Sequence, residues 1–468
     1  MSTFSRRDWI RASAVALGGA TLGRASRAAP LPVTWDARAA ADSLAADSVA
    51  AANVAKTAAP LAAPSASRSL ATPVDGERPS RVDTPNGSAL TGRRADDGAW
   101  VYHLTAEEVQ HEFAPGLTAT CWGYNGQVHG PTFEAVEGDR VRIYVTNNLP
   151  VATTVHWHGF FIPSGMDGVG GLSQAPIAPG ETFRYEFPIR QHGTFMYHSH
   201  HDEMTQIALG LTGMFVVHKR GRDDVDRDVA IMLHEWLVEP GTSRPDPNAM
   251  ADFNVLTMNA RAFPGTDPIV VGHNDTVRFR FGNLSPMDHH PIHLHGHYFK
   301  ITATDGGPIP EAGQWPETTV LVPTGSTRTV EWTADALGDW AMHCHMTHHV
   351  MNQMGHEFPN MVGVDARALD REVQPLAPGY MTMGQVGGDD MGAHVEMGHM
   401  PVPENSIPMV GAAGPFGYIT MGGMYTNVKV RPKPVDYAQD PGWYDHPEGE
   451  VARAVSAEEA ARDGVVLS

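Results

Sequence analysis

Cysteine is nearly absent from this chain: 468 residues carry two, Cys121 and Cys344. A fold stapled by several disulfides is excluded. Charge is also scarce at 18 %, and the balance of 33 Lys and Arg against 53 Asp and Glu leaves a formal charge of −20. Phosphate recognition needs a basic face, so a nucleic-acid partner is not expected. The longest apolar run near the start, from Ala12 to about Leu22, is too short to cross a bilayer. What the chain has in quantity is 48 Gly, 36 Pro, 25 His and 22 Met. The first two suit short strands joined by turns. The last two are imidazole and thioether ligands, a combination that suits copper better than magnesium or calcium.

The segment "SRRDWIRASAVALGGATLGRASRAAP" places Arg6 and Arg7 before that short apolar run and small residues after it. Residues 1–28 therefore read as a twin-arginine export signal, which puts the mature protein in the periplasm or outside the cell. Residues 29–97 are rich in Ala, Ser, Pro and Thr and read as a low-complexity linker. Alternating runs follow: "RVRIYVTN" at 140–147, "TFRYEF" at 182–187, "TVRFRF" at 276–281 and "TRTVEW" at 327–332. Apolar and polar residues in strict alternation are the pattern of half-buried antiparallel strands.

These runs belong to an internal repeat. "GDRVRIYVTN" aligns with "NDTVRFRFGN", "HWHG" with "HLHG", and "PGETFRYEF" with "PTGSTRTVEW". "GTFMYHSH" aligns with "GDWAMHCH", in the same order. An all-β chain is expected, with one β-sandwich at 98–222 and a second at 223–366. Residues 367–468 begin with a Met- and Gly-rich stretch holding His394 and His399, and are expected to form an extension. Its methionines either pack on a neighbour or collect copper.

Side chains on a strand alternate between faces. In "HCH", His343 and His345 therefore face one way and Cys344 the other. The same spacing pairs His156 with His158, His198 with His200, and His293 with His295, two pairs per repeat. Cys344 has a second set of companions in His349, Met354 and His290. One thiolate, two imidazoles and a thioether form the His₂Cys-plus-axial-Met donor set of blue copper, whereas zinc usually closes its site with Cys and His alone. With Cys344 used as a ligand, Cys121 is left as a buried thiol.

The motifs "HWHG", "HSH", "HPIHLHGH" and "HCHMTHHVMNQM" resemble, in order and spacing, those of the multicopper oxidases over about residues 100–366. The resemblance implies two cupredoxin-like Greek-key sandwiches. It implies type 1 copper at His290, Cys344, His349 and Met354. Type 2 copper would lie at His156 and His293. A type 3 pair would lie at His158, His198, His200, His295, His343 and His345. It further implies one-electron oxidation of phenols, aromatic amines or similar donors, coupled to reduction of O₂ to water. Asp167, in "GMDGVGG", matches an acidic residue that relays protons in relatives; a turn aspartate is the other reading. Met346 and Thr347 stand where some relatives carry a second acid. Ser199 stands where the second repeat has Cys344, so the type 1 site belongs to the second domain alone. This resembles the two-domain, small-laccase branch, in which homotrimers assemble the cluster between subunits. A metallo-oxidase of Cu(I), Mn(II) or Fe(II) and a non-catalytic copper-binding envelope protein are the alternative readings. A nitrite reductase shares the architecture but lacks the eight-histidine set.

Overall fold

The computed structural model describes residues 80–221, 225–251, 253–352, 404–407 and 411–467, with residues 367, 371, 372, 375 and 376 between them. The export signal, most of the linker, Met354, His356, His394 and His399 lie outside the described residues.

The regular structure of the described chain is almost entirely strand, arranged as two sandwiches with the same topology. In the first, Trp100–Ala114 runs parallel to Arg140–Asn147, which pairs antiparallel with Thr182–Pro188. The facing sheet places Thr212–His218 between Gly130–Val136, parallel, and Gly193–His198, antiparallel, with His156–His158 beyond. In the second sandwich Arg227–Trp236, Thr276–Asn283 and Ser326–Thr333 repeat the first sheet. Ile269–Gly272, Tyr425–Arg431, Gly338–Cys344 and His290–Leu294 repeat the facing sheet. The alternating runs behave as their pattern requires. In Arg140–Asn147 the apolar positions Val141, Ile143 and Val145 are fully buried, between more exposed polar neighbours. Trp157 is fully buried in the first core, while Trp340 packs at the margin of the second.

Two expected boundaries change. Residues 80–94 are not linker but a strap across both sandwiches. The buried carboxylate of Glu134 accepts the backbone N–H of Arg81 at 2.9 Å, and Ala89–Thr91 adds a parallel strand to the facing sheet of the first sandwich. Asp83 then exchanges backbone hydrogen bonds with Asp228 and Ala230 of the second sandwich, and its carboxylate pairs with Arg227 at 2.7 Å. Similarly, Tyr425–Arg431 is not extension but a buried inner strand of the second sandwich. Its counterpart Thr212–His218 follows the HSH motif within residues 199–211, whereas residues 345–424 intervene in the second repeat. That long insertion hid the strand.

The sandwiches meet along a seam. Met196, Met214, Met232 and Leu284 form a buried cluster there, with Val82 and Ala230. Gly282 lets the strands approach closely at this seam, since a Cβ would lie 2.5 Å from Met214 Sδ and the methionine side chains would have to shift. Polar contacts fix the register: Arg280 bonds Asp228 at 2.6 and 2.8 Å and Thr194 Oγ1 at 3.0 Å. Cys121 is a buried free thiol in a further apolar cluster with Phe113 and Trp236.

Three histidines outside the motifs, His111, His129 and His234, are buried around this cluster, and burial holds each imidazole neutral. His111 donates to the Ala260 carbonyl at 2.6 Å, and burial lowers it from 6.5 to about 4. Between those values the unfolded chain binds a proton that the folded chain excludes. Stability is therefore fully present above pH 6.5 and falls as pH drops toward 4, by about 3 kcal/mol for this one group. His111→Gln keeps a donor without the titration. Denaturant unfolding between pH 4 and 6.5 is expected to give a shallower acid slope in that variant.

Candidate metal centre

Register builds the site. His156 is paired with His198, and His293 with His343, at equivalent places in the two facing sheets. The cross-strand ring centroids are 5.3 Å and 5.7 Å apart. Each motif's second histidine adds a ring. His158 Nδ1 lies 3.2 Å from His198 Nε2, and His295 Nε2 lies 3.1 Å from His343 Nε2. His200 contacts His156 and His198 through its ring, but its Nε2 faces Glu203 at 3.1 Å. His345 contacts His293 and His343. The eight motif histidines thus form two quartets, one per sandwich.

The tautomers of four rings follow from their partners. A carbonyl only accepts, so a ring nitrogen facing one must carry the proton. His156 Nδ1 donates to Asp167 O at 2.7 Å, and His293 Nδ1 to Thr318 O at 2.7 Å. His198 Nδ1 donates to Ser199 O at 2.8 Å, and His343 Nδ1 to Cys344 O at 2.8 Å. In every case Nε2 is left as a lone pair, the state a metal requires. Burial lowers His198 to about 3 and also depresses His158, His295 and His343, so these rings stay neutral.

Gly168 makes the Asp167 contact possible. Its φ is +85°, and a Cβ there would lie 1.8 Å from the Val155 carbonyl, the residue before His156. The main chain of "MDG" therefore runs against the strand carrying the first pair. The Asp167 carboxylate lies 3.5 Å from the same Nδ1.

On the other face of "HCH" lies a second centre. Cys344 Sγ is 3.5 Å from His349 Nδ1 and 3.8 Å from His290 Nδ1, which are 3.2 Å from each other. Both rings present the same nitrogen to the thiol, and all three residues are buried. The far nitrogens are held: His290 Nε2 by Ser285 Oγ at 2.6 Å, and His349 Nε2 by Asp288 at 3.4 Å. Burial lowers both imidazoles and pushes the thiol up to about 12. A soft cation must therefore displace the thiol proton, as a copper thiolate does. The donor chemistry fits copper: two neutral imidazoles and one sulfur converge in a dry, preshaped triangle.

Sequence reasoning missed Ser285, Asp288 and Glu235. Glu235 is buried in the strand Arg227–Trp236, and its Oε1 accepts the N–H groups of Met287 and Asp288 at 2.7 and 3.0 Å. It thereby ties down the loop that presents Ser285 and Asp288. Burial and the nearby Asp288 charge raise it to about 8. One signal was available: Glu235 is a lone acid within the apolar stretch "VAIMLHEW". Two further histidines prove structural. His218 is buried on Glu134 at 2.8 Å, and His297 packs on Trp332.

Family models described as multicopper oxidase match residues 105–222 and 239–363, one on each sandwich. The chain belongs to the multicopper oxidase family. It is 38% identical over 130 residues to "Copper resistance protein A" of Pseudomonas syringae pv. tomato, covering 27% of this chain and 21% of that one. It is 31% identical over 301 residues to "Laccase-2" of Botryotinia fuckeliana, covering 56% and 51%. The matched regions span 21% and 51% of the length of these two curated relatives. Among solved structures it is similar to the multicopper oxidase mgLAC, at 27% identity and a TM-score of 0.52, covering 71% of this chain and 87% of that one.

Gly168→Ala forces Asp167 away from His156. The expected result is a loss of stability on the order of 2 kcal/mol or more, together with weakened copper retention. Chemical unfolding and metal analysis after dialysis measure the two effects.

Proposed function

We propose that this protein is a laccase-like multicopper oxidase. In this reading phenols, aromatic amines or similar donors give up single electrons at His290, Cys344, His349 and Met354, and O₂ is reduced to water at the eight-histidine cluster. The supporting observation is the placement of two donor sets on opposite faces of one strand end. Cys344 points to His290 and His349, while His343 and His345 join the other imidazoles. Copper in these sets would supply one-electron transfer and dioxygen reduction.

The chain's own residues supply the rest. Ser285 and Asp288 orient the two imidazoles of the thiolate centre, which preorganises it. His349 is the ligand nearest solvent on that face, beside the half-exposed Asp288, so a donor's N–H or O–H can be accepted there. The peptide between His343 and Cys344 links the centres through bonds. The role assigned to Asp167 divides: its carbonyl orients His156, and its half-exposed carboxylate is the group we assign to proton delivery.

The cluster in this reading forms between subunits of a homotrimer. Among the described residues, no ring contact, hydrogen bond or ion pair joins the first quartet to the second. His158 instead faces Asp305 and the Gly325 carbonyl, on turns of the second sandwich. His295 and His345 are exposed, so the second quartet is open on one side. A second copy supplying the complementary quartet would close it. Export through a twin-arginine signal to the periplasm or beyond remains part of the proposal and rests on residues 1–28.

A second reading, oxidation of Cu(I) or another reduced metal ion, is favoured by one observation. Met287 and Met346 are 52 % and 41 % exposed, each close in sequence to a ligand of the thiolate centre. The similarity to a protein named for copper resistance points the same way.

Oxygen uptake decides between these functions. The copper-loaded protein is expected to consume O₂ with a phenolic donor, and Cys344→Ser to lose that activity while keeping its fold. Faster turnover of Cu(I) than of any phenol would favour the second reading. No O₂ uptake with either donor would favour a copper-binding protein without catalysis.

A further inference from the structure

Two buried histidines outside both centres face each other across the seam. His129 precedes Gly130–Val136 of the first sandwich, and His234 lies in Arg227–Trp236 of the second. They are 6 % and 0 % exposed, with ring centroids 5.1 Å apart and ring planes at 70°. Pairs already read as ligands have nearly the same geometry. His290 and His349 stand at 5.1 Å and 62°, and His156 and His198 at 5.3 Å and 67°.

Both rings also keep nitrogens without partners. His129 Nδ1 meets Thr212 Oγ1 at 2.5 Å, while its Nε2 has no hydrogen bond. Neither nitrogen of His234 has a hydrogen-bond partner of ordinary geometry, although the Leu284 carbonyl favours a proton on this ring. Other buried imidazoles are satisfied: His111 on the Ala260 carbonyl at 2.6 Å and His218 on Glu134 at 2.8 Å. A buried polar atom left unpaired is costly, so the pair calls for a group placed between the rings. Burial keeps both rings neutral, and what they offer such a group is lone pairs rather than charge.

The surroundings select the ligand. Among the described residues the convergent groups of three or more His, Cys, Asp or Glu lie in the two centres above, so no thiol or carboxylate completes this pair. Zinc usually gathers four ligands. A dication held by two neutral donors in a dry seam would also keep most of the cost of its burial. A monovalent ion costs less to bury, and imidazole suits copper. Trp236 packs on both rings, at 5.8 Å from His129 and 4.4 Å from His234, and its Nε1 donates to Thr257 Oγ1 at 3.0 Å. Indole faces attract cations, most strongly where water is excluded.

We infer that His129 and His234 bind Cu(I) between them, as a clip across the seam of the two sandwiches. The site belongs to neither centre but lies near elements of both. Thr212, which holds His129, pairs across the strands with His198, and Leu284 precedes Ser285, the partner of His290. An ion held by one residue from each sandwich opposes their separation and so stabilises the docked pair. The clip depends neither on the electron donor nor on association of copies.

The test uses the full chain loaded with Cu(I) under a reductant and without O₂. Crystals are expected to show anomalous scattering at the copper edge between the His129 and His234 rings, besides that at the two centres. His234→Phe replaces a ring without partners by an apolar ring, so the metal-free variant should unfold at the denaturant midpoint of the parent. After dialysis against a Cu(I) chelator it should retain one copper fewer per chain, while the Cys344 centre regains its blue absorption on reoxidation. Cu(I) should also raise the unfolding midpoint of the parent more than that of the variant. A water molecule bridging the two rings in crystals whose centres are filled with copper overturns the clip, whether or not the variant folds. Equal copper retention by parent and folded variant overturns it as well.

Discussion

The alternation of side chains across a β-strand is the constraint from which the rest of this molecule follows. Gly338–Cys344 is clamped between Tyr425–Arg431 and His290–Leu294, so its register cannot slip without sending every side chain to the wrong face. Held in that register, His343 meets His293 while Cys344 turns to His290 and His349. Two donor sets of different chemistry are thereby fixed one residue apart. The strand also explains why the second sandwich needs Tyr425–Arg431: without that inner strand Gly338–Cys344 would be an edge, free on one side.

The first sandwich shows the same frame with half the chemistry. His156 and His198 pair as His293 and His343 do, yet Ser199 replaces the thiol. Its hydroxyl bonds Gln206, itself fully buried, instead of joining a ligand set. Polar residues at the thiol's place close that face with hydrogen bonds rather than leaving a cavity for a metal.

Much of this was legible in the sequence because strands declare themselves by period two and ligands by residue type. The four His-X-His pairs, the Cys344–His290–His349 triangle and the duplicated sandwich were all readable from spacing. The strap at residues 80–94 was not, because its attachments depend on a buried carboxylate, Glu134, far away in sequence. The inner strand at 425–431 was concealed by an intervening stretch of different composition. Ser285, Asp288 and Glu235 escaped for a third reason: a residue that orients a ligand is defined by three-dimensional proximity, and its type alone is common. The contact of the Asp167 main chain with His156 was likewise not readable, because it depends on the turn at Gly168.

The second quartet, taken alone, is open on one side, where His295 and His345 are exposed. In the proposed reading, a second copy would close that side with the complementary quartet. Subunit complementation tests this most directly. One variant carries His158→Ala and His198→Ala, the other His295→Ala and His343→Ala, and each alone should reduce no O₂. Mixed assemblies of the two, verified by mass, are expected to recover a substantial part of the oxidase activity, because some interfaces then join two intact quartets. Mixed assemblies as inactive as either parent would contradict a cluster built between chains.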